Sequence, residues 1–69
     1  MSLAENLRSL RIQKQYSQAE LAKLVGISQQ TISQVEKSQI SLNVETAVAI
    51  AKKLDTTAEQ LVDGQTTEF

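Results

Sequence analysis

Between Ser17 and Glu36 the chain has room for two short helices and almost nothing between them. Ser17-Gln18-Ala19-Glu20 has the spacing of a capping box, in which the Ser oxygen accepts a first-turn amide and the Glu reaches back to the cap amide. The helix it starts runs through Val25, with Leu21, Ala22 and Val25 on one face. Gly26 ends it, because glycine takes positive φ at little cost. Ser28 is again a cap, so the next helix spans about Gln29 to Glu36. A turn as short as Gly26-Ile27-Ser28 makes two helices cross steeply rather than lie antiparallel. Ala22 is small where they approach, and Ile27, Ile32 and Val35 supply the apolar anchors of the crossing.

The remainder of the chain offers only helices to pack on this pair. Ser2-Leu3-Ala4-Glu5 reads as another capping box, opening a helix to about Gln15 with Leu3, Leu7 and Leu10 at helical spacing. Lys37 to Asn43 has no periodicity and reads as a loop. Asn43 or Ser41 can cap a fourth helix whose apolar stripe is Val44, Ala47, Val48, Ala51 and Leu54. Thr56 with Glu59 forms a further capping box, leading a short helix that ends near Asp63-Gly64. With no Pro, two Gly and 3% aromatic residues, the chain lacks the material of a sheet. The expected fold is all-α, a compact five-helix domain over residues 1–64 with a helix-turn-helix at helices two and three, followed by a flexible tail at 65–69.

Composition also narrows function. Without His or Cys there is no disulfide framework, no Cys/His zinc site and neither of the usual acid–base and thiol groups. No glycine-rich phosphate loop is present, and a small helical domain offers paired carboxylates little cleft. No enzyme, catalytic residue, cofactor or metal is expected. The absence of an apolar run of about 20 residues or a charged leader before an apolar stretch gives a cytoplasmic domain, with no membrane role, as the expectation.

The helix from Gln29 to Glu36 then becomes the informative one. At about 100° per residue, Gln29, Gln30, Ser33, Gln34 and Lys37 fall on one side, opposite Ile32 and Val35. The inward side docks the helix, while the outward side carries amides, a hydroxyl and an ammonium. A Gln amide donates and accepts together, matching the N7 acceptor and N6 donor of adenine in the major groove. Residues at the start of a recognition helix reach furthest into that groove. Gln29, Gln30, Ser33 and Gln34 are therefore the candidate base contacts; a solvated helix face is the plain alternative. Ser28, Lys37 and Gln39 are candidate phosphate contacts. Gln18, first in its helix, is either a phosphate contact or an ordinary first-turn residue. Arg11 and Glu36 are either a pair joining helices one and three or two independent surface charges.

These segments resemble the Cro/cI-type (XRE-like) helix-turn-helix domains of bacteria and phages, those with the lambda-repressor-like fold. The resemblance covers about residues 3–63 and is carried by Leu10-Arg11, by Ser17 to Ala22, by Gly26 to Glu36, and by Ile50-Ala51-Lys52-Lys53-Leu54. It implies a sequence-specific transcriptional regulator, a repressor or controller, that binds double-stranded DNA as a homodimer on a palindromic operator. It further implies base reading by Gln29, Gln30 and Gln34, a phosphate contact by Gln18, and a buried Arg11–Glu36 ion pair. Dimer contacts would come from Thr56, Thr57, Ala58, Leu61 and Val62.

Three features depart from the family pattern. Ser38 stands where relatives usually have Gly, so its turn is either strained or altered. Leu42 stands where Pro is frequent. The loop Gln39-Ile40-Ser41-Leu42-Asn43 has no charge, where basic relatives neutralise phosphates. Residues 1–37 carry five basic and three acidic side chains, a balance of +2, whereas residues 38–69 carry two basic and five acidic, a balance of −3. A DNA-facing surface belongs to the first part, with weaker binding and a shallower salt dependence than a basic relative. The acidic second part and the uncharged loop leave an alternative, an antitoxin-like or other protein-interaction module on the same fold with a protein partner.

Overall fold

The computed structural model describes residues 2–62, and these form five helices: α1 (Leu3–Gln13), α2 (Gln18–Val25), α3 (Gln29–Glu36), α4 (Val44–Lys53) and α5 (Ala58–Leu61). The expected end of the last helix at Asp63-Gly64 and the tail at 65–69 lie outside the described residues.

Each start is fixed by a side chain three residues ahead of the amide it caps. Ser2 and Ser17 form complete capping boxes with Glu5 and Glu20. Ser28 accepts from the Thr31 amide and Asn43 from that of Thr46. At α5 the cap is Thr57, which accepts from the Gln60 amide, and not Thr56. Thr56 instead donates its hydroxyl to the Gln60 side chain at 2.9 Å. Two adjacent threonines offer the same chemistry, and the register of α5 on the core chooses between them.

The ends of α1 to α4 share one device. Gln15, Gly26, Ser38 and Asp55 have φ of 63°, 86°, 61° and 58°. The next amide reaches back five residues in every case: Tyr16 to Arg11, Ile27 to Ala22, Gln39 to Gln34 and Thr56 to Ala51, at 2.9–3.2 Å. That bond satisfies carbonyls the helix would otherwise leave open. It also stops α1 at Gln13, short of Gln15. Ser38 thus keeps the left-handed turn, and the strain falls on a residue with a Cβ.

The core is aliphatic: Leu3, Leu7, Leu21, Ala22, Ile32, Val35, Ile50, Ala51, Leu54 and Leu61 cluster in the centre. The helix pair α2 and α3 is packed together, α1 backs α3, and α4 bridges α2 and α5. The apolar stripe of α4 differs from expectation, since Val44 is 77% exposed and Val48 37%, while Ile50 is fully buried. The buried face runs Ala47, Ile50, Ala51 and Leu54, because α2 and α5 sit on that side of the helix. Finally, Asn6 on α1 donates to the carbonyls of Gln60 and Leu61 at 3.3 and 3.1 Å, holding the end of this four-residue helix.

Candidate nucleic-acid interface

Helix α3 is anchored on one side and open on the other. Ile32 and Val35 are buried to 0% and 1% exposure against α1 and α2. On the opposite face Gln29, Gln30 and Lys37 are exposed, and Ser33 and Gln34 are half-buried. Among the described residues, no side-chain hydrogen bond engages Gln29, Gln30 or Gln34. Their donors and acceptors are therefore available together, along one face of one rigid helix. The face begins at the N-terminus of α3, where Ser28 uses its hydroxyl to cap the Thr31 amide at 3.1 Å and to meet the Thr31 hydroxyl at 2.9 Å.

The other end of α3 is tied into the molecule by Glu36. Arg11 Nε donates to Glu36 Oε2 at 2.7 Å and Arg11 Nη2 to Oε1 at 3.1 Å, a bidentate pair. The side chains of Arg11 and Glu36 are only 13% and 6% exposed. Arg11 Nη1 also donates to the Tyr16 carbonyl at 2.9 Å, so one guanidinium joins α1, the α1–α2 turn and α3. Gln18, at the start of α2, donates its Nε2 to Glu36 Oε1 at 3.0 Å. Burial by itself would push the Glu36 carboxyl up. The hydrogen bonds from Arg11 and Gln18 and the positive charges of Arg11 and Arg8 outweigh it, and hold the carboxyl below its ordinary value. The Glu36 hydrogen bond in turn raises Arg11 further, against its burial.

Two links in this cluster are not legible in the sequence, Gln18 to Glu36 and Arg11 to the Tyr16 carbonyl. Both join residues whose proximity depends on how the helices cross, so no local spacing announces them. The other sequence candidates fall in two places. Ser28, Lys37 and Gln39 are exposed around α3. In the segment expected to make dimer contacts, Thr57 is exposed and Thr56, Ala58 and Val62 are half-buried. Leu61 is a correction: it is fully buried in the core, so its side chain does not belong to the surface this segment offers.

Comparison with known proteins places this fold in a family. The helix-turn-helix family model matches residues 7–61. Control protein C.SmaI of Serratia marcescens is 35% identical over 63 residues, covering 91% of this chain and 75% of that protein. Repressor protein C2 of Salmonella phage P22 is 36% identical over 62 residues, covering 90% of this chain but only 29% of the repressor. The crystal structure of the P22 c2 repressor protein with a synthetic operator superposes with a TM-score of 0.88 at 34% identity, over 93% of this chain and 97% of that one. The chain belongs to the helix-turn-helix family of DNA-binding transcriptional regulators.

Proposed function

We propose that the chain reads a specific duplex sequence in the major groove with α3, as a twofold dimer on a palindromic operator. Residues 1–64 serve as one DNA-binding domain that works by binding and not by catalysis, in the cytoplasm. The observation that carries this reading is the open amide face of α3, with Gln29 and Gln30 exposed at its N-terminus and Gln34 one turn on. Uncommitted amides in that position suit adenine-containing base pairs. Ser33 lies beside them, and Ser28, Lys37 and Gln39 flank them as phosphate contacts. Thr56, Thr57, Ala58 and Val62 form the candidate dimer contact. The known operator complex of a relative this similar adds support.

The chain carries a net charge of −1, and the loop from Gln39 to Asn43 has none, so few phosphates are neutralised. Affinity then depends on pairing two half-sites, and the salt dependence is shallow. Selection from a randomised duplex pool, followed by gel-shift titration at low salt, tests the proposal. An enriched site with twofold symmetry supports it, and a pool that stays unenriched sinks it.

A second reading, binding of a protein partner through the same fold, is favoured by the exposed apolar side chains Ile40, Val44 and Val48. Val44 and Val48 lie one turn apart on α4. Polar substitution of both should leave operator binding unchanged if that face serves a partner other than DNA.

A further inference from the structure

The side-chain amide of Gln18 has a task inside the protein, besides the phosphate contact expected of it. A carboxylate can only accept, so the Gln18 atom 3.0 Å from Glu36 Oε1 is its NH2 group, and one N–H is committed there. Glu36 closes α3 and Gln18 opens α2, so this bond spans the two far ends of the helix pair whose other junction is the Gly26 turn. Apolar docking through Ile32 and Val35 holds α3 down but is not directional. The Arg11 fork comes from α1, leaving the angle between α2 and α3 to whatever joins those two helices directly. Among the described residues, Gln18 to Glu36 is the side-chain hydrogen bond that does so.

We infer that Gln18 is a positioning residue: by holding Glu36 it sets the angle of α3 to α2, and hence which base edges Gln29, Gln30 and Gln34 reach. The inference rests on the proposed reading of DNA by α3. Base contacts require placement to within about 0.5 Å, so a small rotation of α3 costs specific contacts while leaving backbone attraction intact. A residue that only touches phosphate behaves differently, weakening binding on every sequence alike.

The test compares wild type, Gln18→Met, Glu36→Gln and the double variant, on the duplex selected from a random pool and on the unselected pool, across a salt series. Gln18→Met should lower the ratio of selected to unselected affinity by about five- to tenfold, the effect of one lost hydrogen bond. The double variant should lose no more than the larger single one. Equal loss on both duplexes with a shallower salt slope, or additive losses, overturns the inference. In the free protein, the side-chain amide resonance of Gln18 should shift as Glu36 titrates in acid, and should stay still in Glu36→Gln. An amide in wild type that ignores that titration also overturns it. A responsive amide with no preferred duplex marks failure of the functional reading instead. A preferred duplex whose ratio survives Gln18→Met marks failure of this inference alone.

Discussion

The two ends of α3 are built to opposite specifications. At the N-terminal end, Gln29 and Gln30 are exposed and make no side-chain hydrogen bond, and the one structural device is the Ser28 cap. At the C-terminal end, Glu36 is almost inaccessible and accepts from Arg11 twice and from Gln18 once. One eight-residue helix thus runs from exposed, uncommitted amides to a carboxylate with both oxygens engaged. The difference teaches a division of labour. A helix can present uncommitted amides at fixed positions only if its orientation is determined elsewhere, and here it is determined at the far end. Mutations at the two ends should therefore fail in different ways.

The largest effect is expected at the held end. Arg11→Met leaves a carboxylate of 6% exposure without its charged partner. It should cost about 2–4 kcal/mol, lowering Tm by roughly 10–20 °C in a domain of this size. Thermal melts followed by circular dichroism measure it. Lys14→Ala, which removes the exposed partner of Asp55 that joins the ends of α1 and α4, is the control and should barely move the melt. Equal losses in the two variants would break the distinction between a buried tie and a surface one.

The same pair has a pH signature. Because the folded-state Glu36 carboxyl sits below its ordinary value, its contribution is complete at neutral pH. It is lost as pH falls below the ordinary carboxylate value, about 4.3, and through the lower folded-state value. The stability gap between wild type and Glu36→Gln should be wide at pH 7 and shrink steadily in acid, as read by urea unfolding at several pH values. A gap that stays constant would place the value of Glu36 in shape rather than charge.

At the open end the expectation reverses. Gln29→Ala should leave Tm within a degree or two and cost about 1–3 kcal/mol on the selected duplex, relaxing preference at one base position. Equal weakening on all sequences would make Gln29 a backbone contact and blur the contrast between the ends.

How far the sequence revealed this arrangement follows from the range of each interaction. Caps act over three residues, so Ser17 with Glu20, Gly26 and Ser28 announce α2, the turn and α3 directly. The open face of α3 follows from the same helix phase. The stripe of α4 was harder, because Val44 and Val48 fit one helical face and Ile50 another, and the choice is made by α2 and α5. Thr56 and Thr57 are likewise separated only by how α5 seats Leu61 in the core. The least legible feature is the tie between Gln18 and Glu36, whose partners meet only once the crossing angle is set.

The smallest effect concerns the turn that leaves the held end. Gly26 and Ser38 have the same left-handed backbone, but only one of them has a residue suited to it. Nothing lies within 4 Å of a Cβ built on Gly26, so Gly26→Ala pays in backbone strain alone. That strain is about 1–2 kcal/mol, offset by about 0.4–1 kcal/mol from a less flexible unfolded chain. Ser38→Gly reverses both terms, so it should stabilise by about the same net amount that Gly26→Ala loses, roughly 0.5–1 kcal/mol. The amides of Ser38 and Gln39 bond to the carbonyls of Val35 and Gln34 at 3.0 and 2.9 Å, and neither bond involves the Ser38 side chain. Glycine therefore keeps the turn and relieves it, and because Glu36 continues to fix α3, the preferred duplex should not change. Denaturant midpoints for the two variants, measured side by side, check the symmetry. A destabilised Ser38→Gly would mean that the hydroxyl supports the turn, and that the held end depends on more than Arg11 and Gln18.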